Sequence, residues 1–162
     1  MKLKYFIPIL IFVPVVIIQL TIIPLISIEE VAPDLLLITL VYFSIAYGQL
    51  YGTSVGAFYG LAFDLITGSL IGSNMLAKTV AGFTAGYFSA ETKKDKYLYT
   101  YAFCLVVFLC AIINSLIFSF FSVIDFDKNF IFVLFNHSML PSIYTTMLSI
   151  LVVIVPHRRS YT

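Results

Sequence analysis

The chain has 162 residues, of which 61% are hydrophobic and only 10% charged. A soluble domain carries about 25% charged residues, so this polypeptide has too little polar surface to cover itself in water. The net charge of +1 offers no basic excess for nucleic acid, and the mean hydropathy of +1.06 points to lipid as the solvent: an all-α integral membrane protein, residues 1–162 forming one transmembrane domain.

Six apolar segments follow one another. The first, 5–26, is preceded by Lys2 and Lys4, contains Pro14, where a kink is expected, and carries Gln19. It resembles a signal peptide, but its apolar run is too long and lacks a small-x-small cleavage site, so it reads as a retained helix. Glu29, Glu30 and the Pro33-Asp34 pair lead into the second, 35–49. The third, 51–67, is rich in glycine and holds Asp64. The fourth, 74–89, holds Lys78, Gly82 and Gly86. Lys93, Lys94 and Lys96, mixed with Glu91 and Asp95, precede the fifth, 97–122. That segment carries Cys104, Cys110 and Asn114; the two cysteines point in different directions on one helix and cannot bridge each other. Asp125, Asp127 and Lys128 precede the sixth, 130–155, with Asn136, His137 and Pro141, and Arg158 and Arg159 follow it. Continuous apolar runs rather than alternation favour helices over a β-barrel.

Orientation follows from the basic residues. With six spans, the N-terminal lysines, the Lys93–Lys96 cluster and Arg158 and Arg159 fall on one side, and the acidic connections on the other. Both termini are therefore expected in the cytoplasm. Tyr47, Tyr51, Tyr87, Tyr97, Tyr99 and Tyr101 gather at the inner boundary as an aromatic belt, in a chain with no tryptophan. The Lys93–Lys96 cluster can also attract anionic head groups of membrane lipids weakly. The connections are too short for a soluble domain.

Small residues recur at every fourth position: Gly48, Gly52, Gly56, Gly60, Asp64, Gly68 and Gly72, with Gly82 and Gly86 repeating the device. Four residues advance a helix by about 400°, so these positions nearly eclipse. Lipid tails give helices no hydrophobic reason to associate, and close backbone approach replaces it. Two readings stand: packing within this bundle, or a face left for another protein's helix. Homo-oligomerisation would use the same face as readily. Gly48 is expected to close a helix or its turn, and Gly68 and Gly72 to lie in a loop.

An ionised Asp or Lys at mid-bilayer costs about 2.5–3.5 kcal/mol on insertion scales and needs a partner. Asp64 and Lys78 each fall about 6 Å inside the outer ends of adjacent spans, so an ion pair between them is expected. Gln19, Asn114 and His137 map to a similar depth, and the five residues Gln19, Asp64, Lys78, Asn114 and His137 are expected to form a buried polar cluster open to the outer side. Such a cluster either fixes helix register or binds a small ligand or partner. His137 has no second ligand at metal spacing, and its neighbourhood around Pro141 suggests a kinked helix instead. No nucleophile stands beside a base, and no phosphate loop, zinc motif or paired catalytic carboxylate occurs, so neither catalysis nor a cofactor is expected.

One stretch carries a resemblance: Pro33-Asp34-Leu35-Leu36-Leu37-Ile38, then Gly48, Gly52 and Gly56, then Gly60-Leu61-Ala62-Phe63-Asp64-Leu65-Ile66-Thr67-Gly68-Ser69-Leu70-Ile71-Gly72. It resembles the MreD family of rod-shape-determining membrane proteins, with Pro33, Asp34, Gly60, Asp64, Gly68 and Gly72 as the motif positions. Lys78 departs from the neutral residue the resemblance leads one to expect. The resemblance implies a non-catalytic scaffold of the bacterial elongation machinery for peptidoglycan. Its implied partners are an MreC-like single-pass protein and, through it, MreB filaments, a RodA-type glycosyltransferase and a penicillin-binding transpeptidase. It also implies a fold similar to the S components of energy-coupling-factor transporters. That likeness sustains the alternative, a substrate-binding component of a vitamin-like transporter.

Overall fold

The computed structural model describes residues 7–27, 32–89, 101–122 and 139–150, and every regular element among them is helical. In chain order these are α1 (Ile7–Thr21), α2 (Ile23–Ile26), α3 (Leu35–Tyr47), α4 (Gln49–Thr67), α5 (Ser73–Tyr87), α6 (Ala102–Ser122) and α7 (Met139–Ile150). His137, Asn136 and the flanking Lys and Arg residues that set the expected orientation lie outside the described residues.

The first expected span is divided. Helix α1 runs through Pro14, and the interruption falls instead at Ile22, two residues before Pro24. A proline is tolerated in a helix's first turn, where its missing donor would be unpaired anyway, so Pro24 starts α2 without penalty.

Helix α3 is the centre of the fold. Leu36, Leu37, Ile38, Leu40, Val41 and Ile45 are all buried, which places apolar contact on every side of the helix, as expected for an enclosed one. Phe12 and Val16 of α1, Val55 and Tyr59 of α4, Ala81 and Ala85 of α5, and Phe103, Val106, Val107, Cys110 and Ala111 of α6 complete the core. Tyr59 is fully enclosed. Its ring lies 4.9 Å from that of Phe12, and its hydroxyl donates to the Pro8 carbonyl at 2.7 Å, so a single side chain ties α4 to α1. Cys104 and Cys110 are both free thiols.

Only Gly48 separates α3 from α4. Its φ of +101° is open to glycine but strained for other residues, which lets the chain reverse without a loop. A second reversal, through Gly68 and Gly72, brings α5 back along α4. A Cβ at Gly52 would sit 2.6 Å from the Gly82 carbonyl oxygen. One at Gly56 would strike the Lys78 backbone, one at Gly60 the backbone of Asn74 and Met75, and one at Gly86 that of Gln49. Gly52, Gly56, Gly60, Gly82 and Gly86 are therefore covered from within the chain, at the α4–α5 interface, while Gly48, Gly68 and Gly72 serve turns.

The outward surface is strongly apolar. Leu10, Val13 and Ile17 on α1, Leu50 and Leu65 on α4, Phe83 on α5, and Leu105 and Phe120 on α6 all stand exposed. Among the described residues one helix, Ala102–Phe121, is by itself long and apolar enough to cross a membrane. Of the expected belt residues, Tyr47 and Tyr51 have ring centroids 4.9 Å apart, Tyr87 and Tyr101 are exposed, and Tyr97 and Tyr99 lie outside the described residues.

Replacing Gly56 or Gly60 by Val is expected to destabilise the protein by about 1–3 kcal/mol or more, because backbone cannot retreat as a side chain can. Ile71→Val, on the exposed surface, should leave stability unchanged within about 0.5 kcal/mol. Thermal unfolding in mild detergent, followed by circular dichroism, distinguishes the two.

Candidate functional site

Two polar junctions lie inside the bundle, each built on a helix N-terminus. A helix start leaves four backbone N–H groups without internal partners, and in apolar surroundings they must be satisfied by the chain itself.

The first junction gathers four helices at the start of α3. Asp34 is the N-cap, and its Oδ1 accepts from the Leu37 amide at 2.9 Å. Its own amide donates to Thr145 Oγ1 of α7 at 3.1 Å. Gln19 of α1 brackets the same turn: its Nε2 donates to the Pro33 carbonyl at 2.9 Å, and its Oε1 accepts from the Leu35 amide at 2.8 Å. The remaining carboxylate oxygen of Asp34 takes the Lys78 ammonium of α5 in a direct ion pair. Lys78 is 1% exposed, and its ammonium also lies 5.8 Å from the centre of the Phe63 ring, within range of a cation–π contact.

The second junction is the turn from α4 to α5. Asp64 is completely buried. It accepts from the Ser69 hydroxyl at 2.8 Å, the Gly72 amide at 2.9 Å, the Asn74 amide at 3.3 Å, the Asn74 side-chain nitrogen at 2.8 Å and the Met75 amide at 3.2 Å. Gly68 and Gly72 flank it at φ +66° and +103°, shaping a turn that wraps the chain around one carboxylate.

The expected Asp64–Lys78 ion pair is thus replaced by Asp34–Lys78. The reason is hydrogen-bond capacity. A carboxylate has about four lone-pair sites, and the Asp64 group is saturated by the turn it caps. The Lys78 backbone packs at Gly56, and its side chain extends from there to Asp34 and the Phe63 ring. Of the five residues expected to cluster, Gln19 and Lys78 both meet the Pro33–Leu35 segment, while Asp64 belongs to its own junction. Asn114 is buried on α6, with its Oδ1 unpartnered among the described residues, and His137 lies outside them. Sequence reasoning missed Asp34 as the counter-ion, together with Thr145, Ser69 and Asn74. The signal for Asp34 was present: an aspartate directly before an apolar helical run is an N-cap, and this one stands at a span boundary.

The motif residues therefore have assigned physical tasks. Asp34 caps α3 and neutralises Lys78, Gly60 admits the backbone of α5, and Asp64, Gly68 and Gly72 build the turn. A family model described as rod shape-determining protein MreD matches residues 1–157. The chain belongs to the MreD family. Membership makes it a membrane-associated, rod-shape-determining protein, and the match extends well beyond the quarter of the chain that carries the recognisable motif. No curated protein and no solved structure matches it. Among the described residues no group of three or more potential metal ligands occurs, and the polar side chains of both junctions of this MreD-family chain bond to its own helices.

Breaking a buried ion pair from one side costs about 3–5 kcal/mol, because the other charge is left uncompensated. Asp34→Asn is expected to destabilise by that order, since Asn keeps the cap but leaves the enclosed Lys78 without a counter-charge. Lys78→Met should cost less, because Asp34 is 23% exposed and still caps α3. The double variant Asp34→Asn with Lys78→Met should recover most of the loss, whereas Asp64→Asn with Lys78→Met should show no such recovery. A double-mutant cycle of detergent unfolding free energies measures the coupling. A second expectation concerns Asp64→Asn alone: it turns one acceptor into a donor facing backbone N–H groups, a loss of about 1–3 kcal/mol by the same measurement.

Proposed function

We propose that this protein is a multi-pass component of the bacterial cytoplasmic membrane, with six spans and both termini inside, arranged like the S components of energy-coupling-factor transporters. In this reading it acts without catalysis, as a scaffold that holds an MreC-like single-pass partner and, with it, a RodA-type glycosyltransferase and a penicillin-binding transpeptidase during cell elongation. Family membership supports the rod-shape role, and the apolar outward surface of the helices supports immersion in lipid.

The observation that carries the scaffold reading is the destination of Gln19 and of the charged groups, since the buried side-chain atoms left unpartnered among the described residues, Ser89 Oγ and Asn114 Oδ1, stand on separate segments. Gln19, Asp34, Asp64 and Lys78 are each bonded to other parts of the chain. They lock α1, α3, α5 and α7 and the α4–α5 turn into one arrangement. A ligand-binding component needs convergent polar groups with capacity left for a ligand. A scaffold needs a rigid body whose outer faces meet neighbours through small differences in shape, which is what such locking supplies.

Purifying the tagged full chain from its native membrane in mild detergent should recover the MreC-like partner in stoichiometric amount. Depleting the chain in a rod-shaped host should round the cells, and the Asp34→Asn/Lys78→Met double variant should restore the rod. Recovery of a stoichiometric small molecule with no cell-wall partner would reject the scaffold in favour of transport.

A further inference from the structure

We propose that the turn between α4 and α5 is seated among the acyl chains of the outer leaflet rather than projecting into water, an inference that rests on the membrane reading above. Leu65, Ile66, Leu70 and Ile71 are exposed around this turn, Ile71 at 69%. No charged residue occurs between Asp64 and Lys78, whereas the other two outward connections carry Glu29 and Glu30, or Asp125, Asp127 and Lys128. This one connection, placed on the same side as the acidic ones, is apolar at its tip.

Helix length agrees. Helix α5 has 15 residues and α4 has 19, about 22 and 28 Å at the helical rise. The hydrocarbon core is about 30 Å thick. With Tyr47, Tyr51 and Tyr87 holding the opposite end at the inner interface, the turn reaches no further than the outer edge of the hydrocarbon. Helix α6, with 21 residues, covers about 31 Å and crosses fully.

Backbone in lipid must satisfy its own polar groups, and the start of α5 does so. The Gly72 amide bonds Asp64 Oδ2, the Ser73 amide bonds the Leu70 carbonyl at 3.0 Å, and the Asn74 and Met75 amides bond the two Asp64 oxygens. All four amides that open α5, which its own helix cannot pair, are occupied. The Thr67 hydroxyl turns back to the Phe63 carbonyl at 2.8 Å, and that of Ser69 turns to Asp64. The buried carboxylate takes the place of solvent, which is what allows an apolar turn to stay below the membrane surface.

The chain contains no tryptophan, so Ile71→Trp introduces a sole fluorophore at the tip, and Leu109→Trp, at an exposed position on α6, provides a lipid-facing reference. Each full-length variant is reconstituted into phosphatidylcholine vesicles and quenched with acyl-brominated lipid or with aqueous iodide. The inference expects blue-shifted emission from Ile71→Trp, quenched by bromolipid as strongly as Leu109→Trp and nearly untouched by iodide. Iodide quenching at position 71 with lipid quenching retained at 109 overturns this inference alone. Iodide quenching at both positions overturns the membrane reading with it.

Discussion

The Lys78 side chain, 1% exposed with its ammonium between Asp34 and the Phe63 ring, is the most demanding group among the described residues. Water cannot reach it, and lipid offers it nothing. An isolated charge there would oppose folding by several kcal/mol, so the fold must deliver a counter-charge and hold it in place. It delivers Asp34, which is itself fixed by the backbone it caps and by Thr145 and Gln19 around it. The arrangement of α1, α3, α5 and α7 at this end of the bundle follows from that requirement.

The glycines make the arrangement reachable. Lys78 approaches α4 backbone to backbone because Gly56 has no side chain. The same closeness, repeated at Gly52 and Gly60, lets α5 run alongside α4 and present its first turn to Asp64. Packing and polar bonding are thus coupled: the ladder sets the distance between α4 and α5, and the carboxylate closes the turn at its end. Small residues supply the contact that the hydrophobic effect cannot supply between helices in lipid, and the two carboxylates, with Gln19, occupy amides at the starts of α3 and α5.

Much of this was legible in the sequence. Apolar runs marked the helices, and α3, α4 and α5 lie within a few residues of the expected 35–49, 51–67 and 74–89. Periodicity located the Gly52, Gly56 and Gly60 face, although only coordinates show that α5 occupies it. Depth reckoned from helix ends points to Asp64 as the partner of Lys78 and takes no account of capping. Asp64 is saturated by a turn whose geometry depends on left-handed Gly68 and Gly72, and hydropathy carries no signal for that. Asp34, at the entry to the second segment, stands directly before Leu35, where an aspartate is a cap. The division of the first span was not legible: α1 continues through Pro14, and the break falls at Ile22, just before Pro24.

The central claim is that Lys78 is neutralised by Asp34 and that Asp64 serves the α5 turn. Solid-state nuclear magnetic resonance on the full chain in lipid bilayers, with dipolar recoupling between isotope-labelled lysine side-chain nitrogen and aspartate carboxyl carbon, reads this contact directly. The account predicts one strong close coupling for Lys78, assigned to Asp34 by its disappearance in Asp34→Asn and its persistence in Asp64→Asn. A coupling that survives Asp34→Asn and vanishes in Asp64→Asn would contradict it.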